Sequence, residues 1–237
     1  MFSTLPRVTL TDQAVLVMLQ ISDSLFPTGG FTQSYGLETY VQEGLINSKE
    51  TLRQFLVGYL EELITSDGLA VSLAYRATEN HDLAAIIELE HVVAAQKLAL
   101  ESREASVKTG RRMLKAAIPL FQGAVLTQFQ SLINEGKVYG HHAVVFGLIA
   151  RACGLGGKQA GLAFVYNTTA GMVNNAVRLI PLGQQDGQWV LTSLHATMVQ
   201  SAEKSQELTL EDLGAFLPGL EIRSMQHEHL YSRLFMS

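Results

Sequence analysis

The chain has 237 residues, of which 47% are hydrophobic and only 16% are charged, so it can bury a large core and general disorder is excluded. Its formal net charge is −5, and it contains no run of five or more lysines and arginines, which argues against nucleic acid as a ligand. The single cysteine, Cys153, excludes an intrachain disulfide and a cysteine zinc cage.

The apolar stretches are too short for a membrane protein. The longest, residues 143–150, ends at Arg151 and falls far below the roughly 20 residues that cross a bilayer. Residues 1–10 lack the continuous apolar core of a secretory signal. We therefore expect a cytoplasmic protein with no membrane contact. The sparse charge also predicts that a partner covers part of the apolar surface, because monomers seldom leave large apolar patches in water.

Helical periodicity runs through most of the sequence, beginning with predicted helices at residues 12–22 and 35–43. The clearest stripe follows at residues 52–64, where apolar side chains recur every three or four positions. Asn47 with Glu50 predicts the start of this helix as a capping box, and Asp67-Gly68 predicts its end.

The remaining predicted helices cover the rest of the chain. Four lie at residues 69–78, 82–100, 102–118 and 123–134. Two more, at 141–153 and 157–179, are rich in small residues that permit close backbone approach, so we expect them at the centre of a bundle and as candidate dimer contacts. The last two are predicted at 189–205 and 210–217, with Thr209 capping the second.

Strand patterns are weak throughout, because no series of alternating apolar and polar runs is separated by hairpin turns. No internal repeat or long linker is visible. The sequence therefore predicts an all-α protein: one domain over residues 1–237, a bundle of roughly ten helices, with a partner-docking C-terminal tail at about residues 220–237. This tail ends in Leu234, Phe235 and Met236, a composition suited to docking, and both packing on its own domain and ordering against a partner stay open.

The segment at residues 21–40 differs from the helices around it. Pro27 prevents a helix from continuing, and Gly29 with Gly30 permits positive φ, so two helices are joined by a shaped turn. This turn carries Phe26, Phe31 and Tyr35. Aromatic side chains on a preformed loop are good binding anchors, but they would pack into a core equally well, and both interpretations stay open.

Candidate chemistry is sparse. His141 and His142 are adjacent, and neighbouring helical side chains diverge by about 100°, so we expect one packed and one exposed histidine rather than a shared metal. His227 and His229 would share a side of an extended segment, but no third ligand stands at a known zinc spacing. Cys153 is expected to be a buried structural thiol. Phosphate-binding glycine motifs and nucleophile elbows are also missing, so we expect no catalytic residue, metal site or cofactor.

Several ordered segments resemble the UreF family of urease accessory proteins. They are Leu25-Phe26-Pro27-Thr28-Gly29-Gly30-Phe31, Ser34-Tyr35-Gly36-Leu37-Glu38, Gly140-His141-His142-Ala143-Val144-Val145-Phe146-Gly147, Ala176-Val177-Arg178-Leu179-Ile180-Pro181-Leu182-Gly183-Gln184 and Tyr231-Ser232-Arg233-Leu234-Phe235. Together they span nearly the whole chain, which makes the resemblance specific. Ala143 is a departure, since many relatives have proline there.

The resemblance implies an all-α homodimer that carries out no reaction itself. It implies that the chain binds UreD, also called UreH, and with it recruits the GTPase UreG to apo-urease, where nickel is inserted after GTP hydrolysis on UreG. The partner-binding residues that we expect on this basis are Phe31, Tyr35, Glu38, Tyr40, Arg223, His227, Arg233, Leu234 and Phe235.

A specific hypothesis follows for the tail. We expect it to become ordered on UreD/UreH, with Arg233 hydrogen-bonding near Tyr35 or Tyr40 and with Phe235 filling an apolar pocket. Two alternative functions remain open. A nickel-binding metallochaperone would need ligands from His227-Glu228-His229 and the His141-His142 pair, and a GTPase-activating regulator of UreG would need an arginine finger such as Arg178 or Arg233.

Overall fold

The computed structural model of the protein describes residues 11–23, 25–30, 33–121, 123–214 and 217–236. These ranges contain helices and no strand, which confirms the predicted all-α class. In chain order the helices are α1 (Asp12–Ser22), α2 (Leu37–Gln42), α3 (Lys49–Leu63), α4 (Asp67–Glu79), α5 (Leu83–Gln96), α6 (Leu100–Ala117), α7 (Ala124–Asn134), α8 (His142–Ala152), α9 (Gly157–Leu179), α10 (Gln184–Ser193), α11 (His195–Lys204) and α12 (Pro218–His227), with a 3-10 turn at Leu210–Asp212.

Helix α8 lies at the centre of the bundle, as its small and apolar residues predicted. Every side chain from 143 to 150 is buried, and α8 packs against α4, α6, α7 and α9. Gly147 makes the closest approach possible, because a Cβ at this position would collide with the backbone of Val71 and with Ala74 on α4. Residues 143–150 are buried in the chain's own core, so the accessible part of α8 is confined to its ends, at His142, Arg151 and Ala152. The dimer contacts expected of α8 and α9 stay a prediction.

The start of α3 differs from the prediction by one residue. Ser48, not Asn47, is the N-cap: its Oγ accepts a hydrogen bond from the Thr51 N–H at 3.2 Å, and Thr51 Oγ1 accepts one from the Ser48 N–H at 3.1 Å. Asn47 instead donates from its side chain to the Gly44 carbonyl. Both caps fit the local sequence, so the pattern alone could not choose between them.

Asp67-Gly68 begins a helix rather than ending one, which corrects the second boundary. Helix α4 starts at Asp67, directly after α3 and its short turn. Gly68 makes this possible because a side chain at this position would collide with the carbonyl of Leu63 at the end of α3. The glycine therefore serves a close approach between consecutive helices.

The C-terminal quarter differs most from the predicted elements. The helix predicted at 189–205 is two helices, α10 and α11, which meet at the buried Leu194. Thr209 pairs with Asp212 to cap only a 3-10 turn, not a helix to residue 217. Helix α12, with Pro218 in its first turn, extends to His227, so the first part of the predicted docking tail is helical.

Within the described ranges, none of the helices combines the length and apolarity needed to cross a membrane.

Candidate partner-docking surface

Seven of the nine residues expected to bind partners come together where α2, the start of α6 and α12 meet. Helix α12 packs against α2 and α6, and residues 228–236 continue from its end across the same two helices. Tyr35 and Gly36 both have left-handed backbone, with φ of 51° and 84°. This conformation is unusual for tyrosine, and Gly36 is required because a Cβ would collide with Ser224 on α12.

A buried ionic network anchors this region. His227 is fully buried; its Nδ1 lies 2.7 Å from Glu101 Oε2 on α6, and its Nε2 lies 3.1 Å from Glu38 Oε2 on α2. A neutral imidazole can donate from only one ring nitrogen, so both carboxylates receive hydrogen bonds only from the doubly protonated ring. Arg233 adds a guanidinium, whose NH1 lies 2.7 Å from Glu101 Oε1. The network thus joins two carboxylates and two basic side chains.

Glu38 also holds the backbone of the C-terminal segment. Its Oε1 accepts a hydrogen bond from the Leu234 N–H at 2.7 Å, and its Oε2 accepts one from the Phe235 N–H at 3.1 Å. Farther along α2, Gln42 donates to the Ser232 carbonyl at 2.9 Å. Phe235 is itself buried at 5% exposure. Three hydrogen bonds and one buried ring therefore seat residues 232–235 on the domain.

Arg223 holds the other side of α12 to α2. Its guanidinium lies 4.3 Å from the centre of the Tyr40 ring, and its Nε donates to Glu43 Oε2 at 2.8 Å. Thr39 donates from its hydroxyl to the Arg223 carbonyl at 3.0 Å. Arg223 therefore stacks on Tyr40, whereas Arg233, the residue hypothesised near Tyr35 or Tyr40, hydrogen-bonds to Glu101.

An exposed apolar patch lies on this anchored segment. Leu234 is 62% exposed although its neighbour Phe235 is buried, and four more exposed apolar side chains lie on α12 and on the residues that follow it. We name these five side chains, Ile222, Met225, Tyr231, Leu234 and Met236, the C-terminal apolar surface.

The other predicted site residues have distinct environments. Phe31 lies outside the described residues. Tyr35 is half-buried and hydrogen-bonds Thr109, and burial, with the Asp67 charge second, raises the pKa of its phenol. It borders a cavity of about 360 Å³ behind the turn, together with Gln33 and His142. Tyr35 therefore supports the turn from inside rather than presenting its ring fully to solvent.

The histidines do not converge as metal ligands. His227 points into the ionic network, whereas the His229 side chain is 78% exposed and pairs with Glu228, so the two do not share a side. His141 is buried, as expected of one of its pair, but His142 is half-buried against Phe164 rather than exposed. Across the described ranges no group of three or more His, Cys, Asp or Glu side chains could hold a metal ion.

Cys153 fits the expected structural role only in part. It is half-buried rather than buried, and burial raises the pKa of its thiol to about 12. A thiol with so high a pKa carries almost no thiolate at neutral pH and is a poor nucleophile.

Sequence reasoning missed Glu43 and Glu101, which complete the anchoring network. Glu101 stands 126 positions before His227 and Glu43 stands 180 positions before Arg223, so no local pattern links them. Sequence reasoning also missed most of the C-terminal apolar surface. It treated residues 220–237 as a tail, whereas Ile222 and Met225 lie three positions apart on α12 and share one face of that helix.

Comparisons with known proteins agree with the motif resemblance. The family model described as UreF matches residues 46–195. A protein named urease accessory protein UreF from Actinobacillus pleuropneumoniae serotype 3 (strain JL03) is 42% identical, covering 93% of this chain and 97% of the relative. Proteins of the same name from Bacillus sp. (strain TB-90) and Haemophilus influenzae (strain PittGG) are 39% and 42% identical; the first covers 94% of this chain and 99% of its own length, and the second covers 100% of both.

Proposed function

The chain belongs to the UreF family of urease accessory proteins, and from this we propose that it is a non-catalytic adaptor for nickel insertion. In this role it binds UreD/UreH as a homodimer, and the two proteins together recruit the GTPase UreG to apo-urease. The feature that supports the adaptor role best is the C-terminal apolar surface, because it combines exposed apolar side chains with a rigid, buried anchor.

The anchor favours binding because it orders the C-terminal segment beforehand, so less conformational entropy is lost when a partner binds. Glu38 already fixes the backbone at Leu234 and Phe235, and the buried Phe235 ring prevents this stretch from moving freely. A segment that is ordered before association loses less conformational freedom on binding. Leu234 and Met236 are thereby presented to UreD/UreH in a defined orientation.

The nine expected binding residues divide into two roles on this basis. Glu38, His227 and Phe235 are buried, so they position the surface and do not touch the partner. Leu234 and Arg233 are accessible and make the contact, with Ile222, Met225 and Tyr231 extending it. Tyr40 and Arg223 hold α12 to α2, and Tyr35 supports the turn that carries Phe31.

The alternative role as a GTPase-activating regulator with Arg233 as its finger is less well supported. The Arg233 guanidinium donates to Glu101, so it would have to leave a carboxylate before reaching a nucleotide. Arg178 is exposed and does not face this restriction. The test measures GTP turnover by UreG alone, with the parent chain and with the Arg178→Ala variant. A large acceleration by the parent chain that the variant does not produce would favour this alternative over the adaptor role.

The adaptor role is tested by co-purification with UreD/UreH. We expect Leu234→Asp to weaken binding at least tenfold, because it places a carboxylate at the centre of an apolar contact. Leu120→Asp is the matched control, since Leu120 is similarly exposed at 54% but follows α6, away from this surface. Circular dichroism should be unchanged for both variants. Full retention of UreD/UreH by Leu234→Asp, or equal loss by the two variants, would contradict the proposal.

A further inference from the structure

A groove lies between α5, α6 and the loop at residues 139–141, apart from the C-terminal apolar surface. It encloses about 580 Å³. One wall carries three rings: His91 and Tyr139 are 5.9 Å apart, and Tyr139 and His141 are 5.8 Å apart. Small side chains of alanine and valine line the space between the helices. The groove thus combines an apolar interior with an aromatic wall.

The groove carries positive charge in a protein that is negative overall. Arg103, Lys108 and Arg111 line it, and the one carboxylate among its lining residues is Glu104. The only salt bridge within the groove joins Lys108 to Glu104 at 2.8 Å, and both side chains are about half exposed. Exposed pairs of this kind are weak and exchange readily for another carboxylate. The side chains that line the groove therefore carry an excess of two positive charges, against −5 for the whole chain, and the nearby Glu90 is buried behind the loop.

The loop that forms the wall is held rigidly from below. The buried Glu90 accepts hydrogen bonds from three consecutive backbone N–H groups, those of Tyr139 at 2.9 Å, Gly140 at 2.7 Å and His141 at 2.8 Å. Arg111 donates from its Nε to the Tyr139 carbonyl at 2.8 Å, which fixes the guanidinium at the rim. The groove is preorganised, because the Arg111 guanidinium and the Tyr139 and His141 rings are all held by the loop at residues 139–141.

His141 supplies an unused hydrogen-bond donor to this groove. Its ring is fully buried, and its Nδ1 lies 3.2 Å from Ser106 Oγ. The same oxygen accepts a hydrogen bond from the His142 N–H, so the Ser106 hydroxyl hydrogen is available to Nδ1. In the tautomer in which Nδ1 accepts this hydrogen, the hydrogen of the neutral ring resides on Nε2. Within the described part of the chain, Nε2 has no hydrogen-bond partner.

A buried donor without a partner is unfavourable, and an acceptor that enters the groove would relieve it. We propose that this groove binds an acidic peptide segment of another protein. Carboxylates of the segment pair with Arg111 and Lys108, and one of them lies over Tyr139 and serves as the acceptor for His141 Nε2–H. Apolar side chains of the segment lie between the two helices. The groove therefore provides a second docking site, on residues that the C-terminal apolar surface does not use.

The experiment uses a fluorescently labelled probe peptide, acetyl-Glu-Leu-Asp-Glu-Leu-Asp-amide, and the full chain. Fluorescence anisotropy gives its affinity, and NMR of the isotope-labelled protein follows the His141 ring. We expect the probe to shift the His141 signals and a neutral peptide with Gln and Asn in place of Glu and Asp to leave them unchanged. Arg111→Gln should weaken binding roughly tenfold, as expected for one charged hydrogen-bonding partner.

Arg112→Gln is the matched control for this test. Arg112 is the next residue of α6, is also exposed and carries the same charge, but its guanidinium lies beside Gly29 and not in the groove. Equal weakening by the two variants would overturn the proposal, because only net charge would then matter. It would also be overturned if inorganic phosphate shifted His141 while the probe peptide did not, since the groove would then select free anions.

Discussion

His227 Nε2 lies 3.1 Å from Glu38 Oε2, although 189 positions separate the two residues in the chain. The contact joins the helix that follows the Pro27 turn to the helix that precedes the C-terminal segment. Because Glu38 also binds the backbone of Leu234 and Phe235, one carboxylate fixes both α12 and the segment after it. The two regions with the strongest family motifs therefore form one structural unit.

The first prediction concerns this contact. His227→Ala should lower the free energy of unfolding by about 1–3 kcal/mol, because it removes the side-chain hydrogen-bonding partner of the buried Glu38 carboxylate. Urea denaturation measures the change. His229→Ala should lower the free energy of unfolding by less than about 0.5 kcal/mol, since this side chain is exposed. Similar losses in the two variants would mean that the network contributes nothing specific.

A second prediction follows from Glu62 at the end of α3. Burial, with the Asp67 charge second, raises the pKa of its carboxyl from 4.5 to about 7. The folded state therefore holds this proton more tightly than the unfolded state, and stability is lost as pH rises from 4.5 to 7. Glu62→Gln cannot ionise, so we expect it to be more stable than the parent by about 1–3 kcal/mol at pH 8 and equal to it near pH 4.5.

Denaturant midpoints at the two pH values provide the measurement. Glu61→Gln is the control, because Glu61 is the adjacent residue on α3 but is exposed. An advantage of Glu62→Gln that is the same at both pH values would show that the effect does not come from ionisation.

The third prediction concerns two buried histidines, whose effect makes the protein less stable as pH falls, opposite to the effect of Glu62. Burial lowers the pKa of His141 and of His142 from 6.5 to about 4. Their neutral forms stabilise the fold above pH 6.5, and this stability is lost as pH falls from 6.5 to 4. His142→Gln removes one titrating group. Its free energy of unfolding should therefore fall by about 1–2 kcal/mol less than that of the parent between pH 7 and pH 5. Thermal unfolding at both pH values tests this; a pH difference identical to the parent's would contradict it.

A fourth prediction uses two helical glycines. Gly147→Ala should destabilise the protein by about 1–3 kcal/mol, because its Cβ would collide with Val71 and Ala74 on α4. Gly171→Ala, in α9, should stabilise it by up to about 1 kcal/mol, since a Cβ there meets nothing within 4 Å and alanine favours helix. Melting temperatures should move in opposite directions, and a shift in the same direction would refute the packing argument.

Much of the fold follows from local patterns. Apolar periodicity and small residues identify α8 and α9 and place α8 at the centre, because a helix that is apolar on all sides must be surrounded. Boundaries set by competing local signals were less predictable. Asn47 and Ser48 are both good caps, and Gly68 could end one helix or permit close packing of the next.

The site was predictable only in part. Its motifs mark Glu38, His227 and Phe235, but sequence alone gives no sign that these side chains are buried while Leu234 is exposed. Glu101, which holds His227 and Arg233 in this site, lies far away in the chain and carries no motif of its own. Long-range ion pairs of this kind have no local sequence signal, because each partner taken alone resembles an ordinary surface residue.

The central position of α8 also has a consequence during translation. When only the chain as far as α7 has emerged from the ribosome, residues 143–150 are still inside the exit tunnel. The first seven helices then lack the segment that fills the centre of the bundle. Such a nascent chain exposes the apolar faces of α4 and α6 until α8 can insert between them. We therefore expect newly made protein to engage holding chaperones throughout that interval, and to be released from them only after α8 and α9 have left the exit tunnel.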